Sequence, residues 1–387
     1  MSLLATAPIN NKYVLVRADL NVPRNKQGKI LNDFRLKAIL PTLHLIKLRG
    51  GKIVLISHSG RPQAYEEHLS LEPLSNWFQK NDLSTCFAPD PDTAFIKTKT
   101  MKQDMLLLEN VRFFPREYQK DIEFAKSLSR LGSYFVQDAF ANLHRDHTSM
   151  TLLAKQFDID HKTIGLLIEK ELKILTQLTT GPKQPFILIL GGSKVATKLP
   201  VIEQLLDKVS AVLVCPAIAF TFLKAQSIDV GRSLVDENSF EIARKILKKA
   251  QEKGINIIFP VDYLVTSSSF EKPFPCTISK KISDSQIGIS FGPKTSELFK
   301  HCILQAQTIF LNGVSGNPCY PETLEGMRSI FLALQQSYAT KIIGGGDIIA
   351  VAEQLGFKQT VGTFLTGGGA TLSYLGGDTL PGLMALR

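Results

Sequence analysis

Short apolar runs alternate along this chain with stretches whose apolar positions recur every three or four residues. Runs of about five apolar residues read as strands buried on both faces, and the amphipathic stretches as helices that cover them. The first half predicts strands at Tyr13–Arg17, Lys52–Ser57, Met105–Glu109 and Tyr134–Gln137, with helices at Leu36–Leu48, Leu71–Gln79 and Ile122–Leu131. The second half repeats the plan, with strands at Phe186–Leu190, Ala211–Val214, Asn256–Phe259, Thr308–Leu311, Lys341–Ile343 and Val361–Leu365. Its helices are expected at Lys198–Lys208, Phe240–Glu252, Ser296–Gln305 and Ile348–Leu355. The pattern is that of an α/β chain with two Rossmann-like, doubly wound parallel-sheet domains, each taking ligand at the carboxyl ends of its strands. The boundary should fall within Ile164–Gln184, where Glu169–Leu178 reads as a helix stopped by Gly181-Pro182. That gives a domain over 1–168, a hinge helix and linker over 169–184, and a second domain over 185–374. A chain of 387 residues exceeds one ordinary core, which agrees with two.

Polar residues at the strand ends differ between the halves. The first half carries separate cations there: Arg17, Arg35, His58, Arg61, Arg112 and Arg145. Such guanidiniums suit a small anionic substrate, because each can hold a carboxylate or phosphate bidentately. The second half has glycine clusters instead, at Gly191-Gly192, Gly344-Gly345-Gly346 and Gly367-Gly368-Gly369. Bare amides opening helices suit a polyphosphate. One half for a small acid and one for a nucleotide is the plan of a phosphotransferase.

Composition narrows the class. With 44% hydrophobic and 21% charged residues the chain is globular, not disordered. The net charge of +10 has its basic residues scattered, without aromatic interleaving or zinc-finger spacing, so no nucleic-acid partner is expected. Cys86, Cys215, Cys276, Cys302 and Cys319 lie far apart with no C-x-x-C pair, and read as free thiols of a reducing compartment. MSLLATAPINNKYV lacks the form of a signal peptide, and no apolar run approaches the roughly 18 residues that span a bilayer. The expectation is a cytoplasmic protein with no membrane partner.

Motifs stand at the strand ends. VRADLNVP (Val16–Pro23) brings Asp19 and Asn21 to the end of the first strand, although D-x-N-x-P is also a common turn signature. Arg35 opens a helix; His58-Ser59-Gly60-Arg61-Pro62, LENVRF (Leu108–Phe113) and DAFANLHRDH (Asp138–His147) each follow a strand. In Gly191–Lys198, Lys194 and Lys198 stand four apart and face one ligand if a helix starts there; otherwise they are solvated lysines beside a turn. Gly344-Gly345-Gly346-Asp347 reads as helix-end amides facing phosphate, with Asp347 either a magnesium-side carboxylate or an N-cap. No G-x-x-x-x-G-K-[S/T] occurs, which excludes a P-loop enzyme. A dinucleotide-dependent oxidoreductase is disfavoured because no G-x-G-x-x-G follows a strand.

In this order VRADLNVP, the His-x-Gly-Arg-Pro turn, LENVRF, DAF…HR…H, GGSKVATK and GGGD followed by TGGGA resemble phosphoglycerate kinases along almost the full chain. The resemblance implies 3-phosphoglycerate or 1,3-bisphosphoglycerate on the first domain, Mg-ADP or Mg-ATP (hence Mg2+) on the second, and a monomer. It also implies that the last residues, 375–387, return to the first domain. Asp19 and Asn21 would contact the glycerate, and Arg35, His58, Arg61, Arg112 and Arg145 would grip its phosphate and carboxylate, Arg35 also facing the transferring phosphoryl. Lys194 would accompany that phosphoryl. Gly191, Gly192, Lys198, Asn312, Gly313, Gly344, Gly345, Gly346, Asp347 and the amide of Ile348 would hold the nucleotide, with Asp347 toward the metal. No general base is needed, since carboxylate and acyl phosphate are already charged.

The nucleotide half departs from the family's usual pattern. Cys215-Pro216 stands where Gly-Gly is usual, Phe220 for Asn, Leu311-Asn312-Gly313-Val314 for Trp-Asn-Gly-Pro, Cys319 for a ribose-binding Glu, Ile348 for Thr, Leu365 for Ser and Ser290 for Asp. Glu322, three residues after Cys319, is a substitute carboxylate on this reading. The expected function is an active kinase. The alternative is a non-catalytic or impaired homologue that keeps phosphoglycerate and has a degraded nucleotide pocket.

Overall fold

Alternate residues of the buried strands point to opposite faces, and this places the core on both sides of each sheet. The computed structural model describes residues 3–25, 27–267 and 275–387. They divide into two compact units, one running through Ile174 and including Thr379–Arg387, the other Leu175–Asp378. The division falls inside a helix, Leu166–Thr180, and within the span 169–184 read as hinge helix and linker.

The first unit contains β1 (Tyr13–Arg17), β2 (Lys52–Ile56), β3 (Thr85–Ala88), β4 (Met105–Leu108), β5 (Tyr134–Gln137) and β6 (Lys162–Ile164). They form one parallel sheet in the order β3-β4-β2-β1-β5-β6. Val14, Val16, Ile53, Leu55 and Leu107 pack on one face, while Leu15, Val54, Ile56, Leu106 and Phe135 pack on the other. Chain order reverses at β1, whose neighbours are β2 and β5, and the crevice at such a reversal is where ligands bind in open sheets. The end of the chain joins this unit. Gly382 N donates to Leu143 O at 2.9 Å, Lys162 Nζ to Ala385 O at 3.2 Å, and Ala385 lies in the core.

The second unit contains β7 (Phe186–Leu190), β8 (Ala211–Val214), β9 (Asn256–Ile258), β10 (Tyr263–Thr266), β11 (Thr277–Ser279), β12 (Ile287–Phe291), β13 (Thr308–Asn312), β14 (Thr340–Gly344) and β15 (Thr363–Leu365). Its parallel sheet runs β15-β14-β13-β7-β8-β9, with the reversal at β7. A second sheet, β11-β10-β12, is antiparallel and was not expected from the sequence. Its strands are short and partly exposed, so they lack the continuous apolar runs that mark the parallel ones. The edge strands β3 and β6 were missed for the same reason: polar residues interrupt them.

Candidate active site

The ends of β1, β2 and β4 in the first sheet are tied together by side-chain amides and hydroxyls. Ser57 Oγ, after β2, accepts from Leu20 N at 2.8 Å and donates to Ala18 O at 2.7 Å. Asn21 Oδ1 accepts from Gly60 N at 2.9 Å. Asn110, after β4, accepts from Ser59 N and Arg112 N and donates through Nδ2 to Ser59 O at 2.8 Å. Gly60 is required: its φ is +64°, and a Cβ there would stand 2.6 Å from Leu69. The loops after β1, β2 and β4 therefore form one rigid rim.

The cations sit on that rim. Asp19 Oδ1 accepts from Asn21 N at 3.0 Å, the Asx turn its motif foretold, while Oδ2 pairs with Arg35 Nη1 at 3.0 Å. Arg35 Nη1 also donates to Asn21 O at 3.0 Å. Arg112 is buried and donates through Nη1 to Gly60 O at 2.6 Å. Arg61 is exposed and Arg145 half-buried. Burial of His58, followed by repulsion from Arg17, Arg112 and Arg35, pushes its pKa well down, so the ring is neutral. Arg17 Nη2 lies 3.5 Å from His58 Nδ1, which makes Nδ1 the acceptor and leaves the proton on Nε2.

Two histidines that the sequence analysis did not assign belong to the same cluster. His144 and His147 are each lowered to about 4, by burial first and then by Arg145 and Arg112 respectively. Their signal was their place beside Arg145 in DAFANLHRDH. Arg17, by contrast, is wholly buried and internally satisfied: Nε donates to Ser149 Oγ at 2.9 Å, Nη1 donates to Ala18 O, and Glu117 supplies the counter-charge. Arg112 Nε and His144 Nδ1 are buried with no hydrogen-bond partner among the described residues. Buried orphans of this kind cost about 1–3 kcal/mol each and mark where a ligand's oxygens would be welcome.

In the second unit, strand ends meet backbone to backbone. Gly191 N donates to Asn312 O at 2.9 Å, and a Cβ on Gly313 (φ +88°) would collide with the Gly191 carbonyl. Asn312 Nδ2 donates to Gly344 O at 2.8 Å, joining the ends of β13 and β14. Of the helix start and the turn that the sequence left open, the structure has a turn: Lys194 and Lys198 flank a single 3₁₀ turn, Val195–Thr197, before the helix Leu199–Leu205. They still act on each other. Lys198 is buried and lowered to about 8, by burial first and then Lys194, against the opposing charge of Asp347.

Gly345, at φ +113°, caps the helix Gly346–Gln354, so Asp347 is not its N-cap but an exposed carboxylate of its first turn. The amides of Gly346, Asp347 and Ile348 are the orphan donors of that helix end. The side chain of Ile348 is in the core with Val351 and Ala352, which leaves only its amide for a ligand. Glu322 is exposed on the 3₁₀ turn Pro321–Leu324, and the charges acting on Lys198 do not include it. Its charge instead helps raise the Cys276 thiol.

Most residues that depart from the family pattern are absorbed into the interior, while Cys319 is exposed. The Cys215 thiol is buried, pushed up to about 12 by that burial, and therefore neutral. Pro216 takes the N1 position of the helix Pro216–Ala225, where a missing N–H does no harm. Phe220 fills a cluster with Val230, Tyr263, Val265 and Ile282. Ser290 Oγ and Ser315 Oγ share a buried hydrogen bond of 3.0 Å.

A sheet unit with a cationic rim and a second with glycine-opened helix ends define a two-domain phosphotransferase for a small acid. The model of the phosphoglycerate kinase family matches residues 4–378. Phosphoglycerate kinase of Nitratiruptor sp. is 38% identical over 379 residues, covering 97% of this chain and 95% of that protein. The enzyme of Dictyoglomus turgidum is 37% identical over 388 residues, covering 98% and 96%. Among solved structures, phosphoglycerate kinase from Coxiella burnetii aligns with a TM-score of 0.83 at 32% identity, over 98% of this chain and 96% of that one. The enzyme from Pyrococcus horikoshii aligns with a TM-score of 0.85 at 30% identity, over 100% and 98%. The chain belongs to the phosphoglycerate kinase family. It is an ATP-dependent enzyme of glycolysis that exchanges a phosphoryl group between ATP and the carboxylate of 3-phosphoglycerate, and the non-catalytic alternative gains no support.

Proposed function

We propose that the two halves of the reaction are divided between the units residue by residue. Phosphoglycerate is held on the first unit, with Asp19 and Asn21 at its hydroxyl and carboxylate and His58, Arg61, Arg112 and Arg145 around its charged ends. Arg35 faces the phosphoryl in transit. The observation that carries this reading is the convergence of these cations at the ends of β1, β2, β4 and β5, with Arg112 Nε left unpartnered. Lys194 on the second unit neutralises the moving phosphoryl, and Lys198 with the amides of Gly191, Gly192, Gly313 and Gly344–Ile348 holds the nucleotide's phosphates. Asn312 acts by joining two of those loops.

Asp347 suits Mg2+: it is a hard oxygen donor, exposed, and within the field of Lys198. No group of three or more His, Cys, Asp or Glu able to hold a metal exists among the described residues, so Asp347 would hold the ion together with the nucleotide's own phosphate oxygens. Such an ion supplies charge neutralisation on the polyphosphate. The protein's residues supply the rest, which is positioning and charge stabilisation in a site from which water is excluded.

Direct transfer needs the reacting atoms within about 3–3.5 Å, and on this reading the helix Leu166–Thr180 serves as a hinge that responds to ligand binding. Small-angle X-ray scattering tests this: the radius of gyration should fall with both ligands bound and less with either alone. An unchanged radius with both bound would overturn the hinge. The enzyme acts as a monomer in the cytoplasm on this reading. In support, all five cysteines are free, and among the described residues no helix is long and apolar enough to cross a membrane.

A further inference from the structure

Tyr118 stands where three strand-end loops of the first unit converge, and neither the motifs nor the site described above use it. Its backbone is pinned on both sides. The preceding Glu117 is fully buried, with its carboxylate accepting from Ser149 N at 2.9 Å and Ser149 Oγ at 2.7 Å. Three residues on, Asp121 N donates to Thr148 Oγ1 at 3.0 Å. The ring is thus presented by a fixed scaffold. It lies with its centroid 5.8 Å from the Arg112 guanidinium carbon and meets the His147 ring edge-on at 5.2 Å. Its hydroxyl reaches toward the residue after Arg61, donating to Pro62 O over 3.4 Å.

The chemistry of this position is selective. An aromatic face attracts the Arg112 cation without neutralising it, so the full charge stays available for an anion. A carboxylate here would pair with Arg112 and compete with that anion. The phenol is also neutral in the working range, because burial raises its pKa. A neutral phenol can donate a hydrogen bond. The bond to Pro62 O is long enough to be exchanged for a better acceptor, and a phosphate oxygen between Arg61 and Arg112 would be one.

We propose that Tyr118 is a binding residue of the phosphate end of the substrate: its ring holds Arg112 and His147 in place, and its hydroxyl donates to a phosphate oxygen. The proposal rests on the reading of the cationic rim as the phosphoglycerate site, and the test separates the two.

Titration calorimetry with 3-phosphoglycerate, and with glycerate as the probe lacking phosphate, should be run on the wild type, Tyr118→Phe, Tyr118→Glu and Arg112→Ala. Tyr118→Phe keeps the ring and should bind 3-phosphoglycerate about tenfold more weakly, with glycerate unaffected. Tyr118→Glu should lose about 100-fold or more. In Tyr118→Phe the weakening should appear in KM for 3-phosphoglycerate, with KM for ATP at its wild-type value, a split that a general loss of structure would not give. If Arg112→Ala binds normally, the rim is not the phosphate site and the proposal falls with it. If Arg112→Ala is weakened while Tyr118→Phe binds as wild type, the hydroxyl's role is overturned and the rim stands.

Discussion

Asp138 reaches across from the end of β5 to the start of the helix Leu166–Thr180, where its Oδ1 accepts from Ile168 N at 2.9 Å. Its Oδ2 accepts from Thr42 Oγ1 at 2.5 Å, and Thr42 Oγ1 in turn accepts from Leu166 N at 3.0 Å. Gly165 makes room, since a Cβ there would collide with the carboxyl group. One buried carboxyl thus joins the helix that begins at Phe34, the DAF strand end and the helix that leads to the second unit.

Burial pushes Asp138 up to about 7, against the bonds from Thr42 and Ile168. The sign follows. Between the ordinary value of 3.8 and about 7, the folded chain holds a proton that the unfolded chain has released. Asp138 therefore contributes stability at low pH that is lost as pH rises through about 7. Asp138→Asn cannot titrate, so its stability relative to wild type should improve from about pH 4 to about 7, on the order of 1 kcal/mol per pH unit, and then level off. Urea midpoints against pH measure it. A difference that does not change with pH would show that Asp138 is ionised throughout.

Lys198 titrates near the working range, being lowered to about 8 chiefly by burial. Phosphate binding needs its charged form, so ADP affinity should fall by up to about tenfold between pH 7 and 9. Lys198→Met should bind weakly and without that slope. Lys198→Arg, charged throughout, should also lose the slope but retain more affinity. Calorimetric titration at several pH values decides between a titrating ligand and a bystander.

Arg145 and Lys194 should separate in kinetics. With Arg145 gripping the ground state, as proposed, Arg145→Ala should raise KM for 3-phosphoglycerate about 10- to 100-fold, equivalent to roughly 1.5–3 kcal/mol, with kcat little changed. With Lys194 acting on charge that moves in the transition state, as proposed, Lys194→Ala should lower kcat by roughly 10²–10³ with KM little changed. Steady-state assays of both variants check the assignment, and exchanged effects would reverse the two roles.

The parallel sheets were readable because a strand buried on both faces is predominantly apolar, as Phe186–Leu190 is throughout and Tyr134–Gln137 is up to its last residue, and both runs match the observed strands. The antiparallel sheet and the edge strands β3 and β6 carry no such run. Arg and His at strand ends singled out the rim residues in the sequence, but the same sign also marked Arg17, which is buried and paired internally with Ser149, Ala18 and Glu117. Spacing four apart left open how Lys194 and Lys198 are joined, since it fits a helix start as well as the 3₁₀ turn that stands there. His144 and His147 were legible only as neighbours of Arg145 in DAFANLHRDH, whereas Tyr118 carried no such sign: its contact with His147 joins loops distant in sequence and adjacent only after folding.

The division of labour between the units is the central claim, and hydrogen–deuterium exchange with each ligand alone tests it most directly. 3-Phosphoglycerate should slow exchange at residues 58–61, 110–113 and 139–147 and leave the glycine loops unchanged. Mg-ADP should slow residues 191–198, 312–316 and 344–348 and leave the rim unchanged. Protection of the rim by Mg-ADP alone, or of the glycine loops by 3-phosphoglycerate alone, would contradict the account.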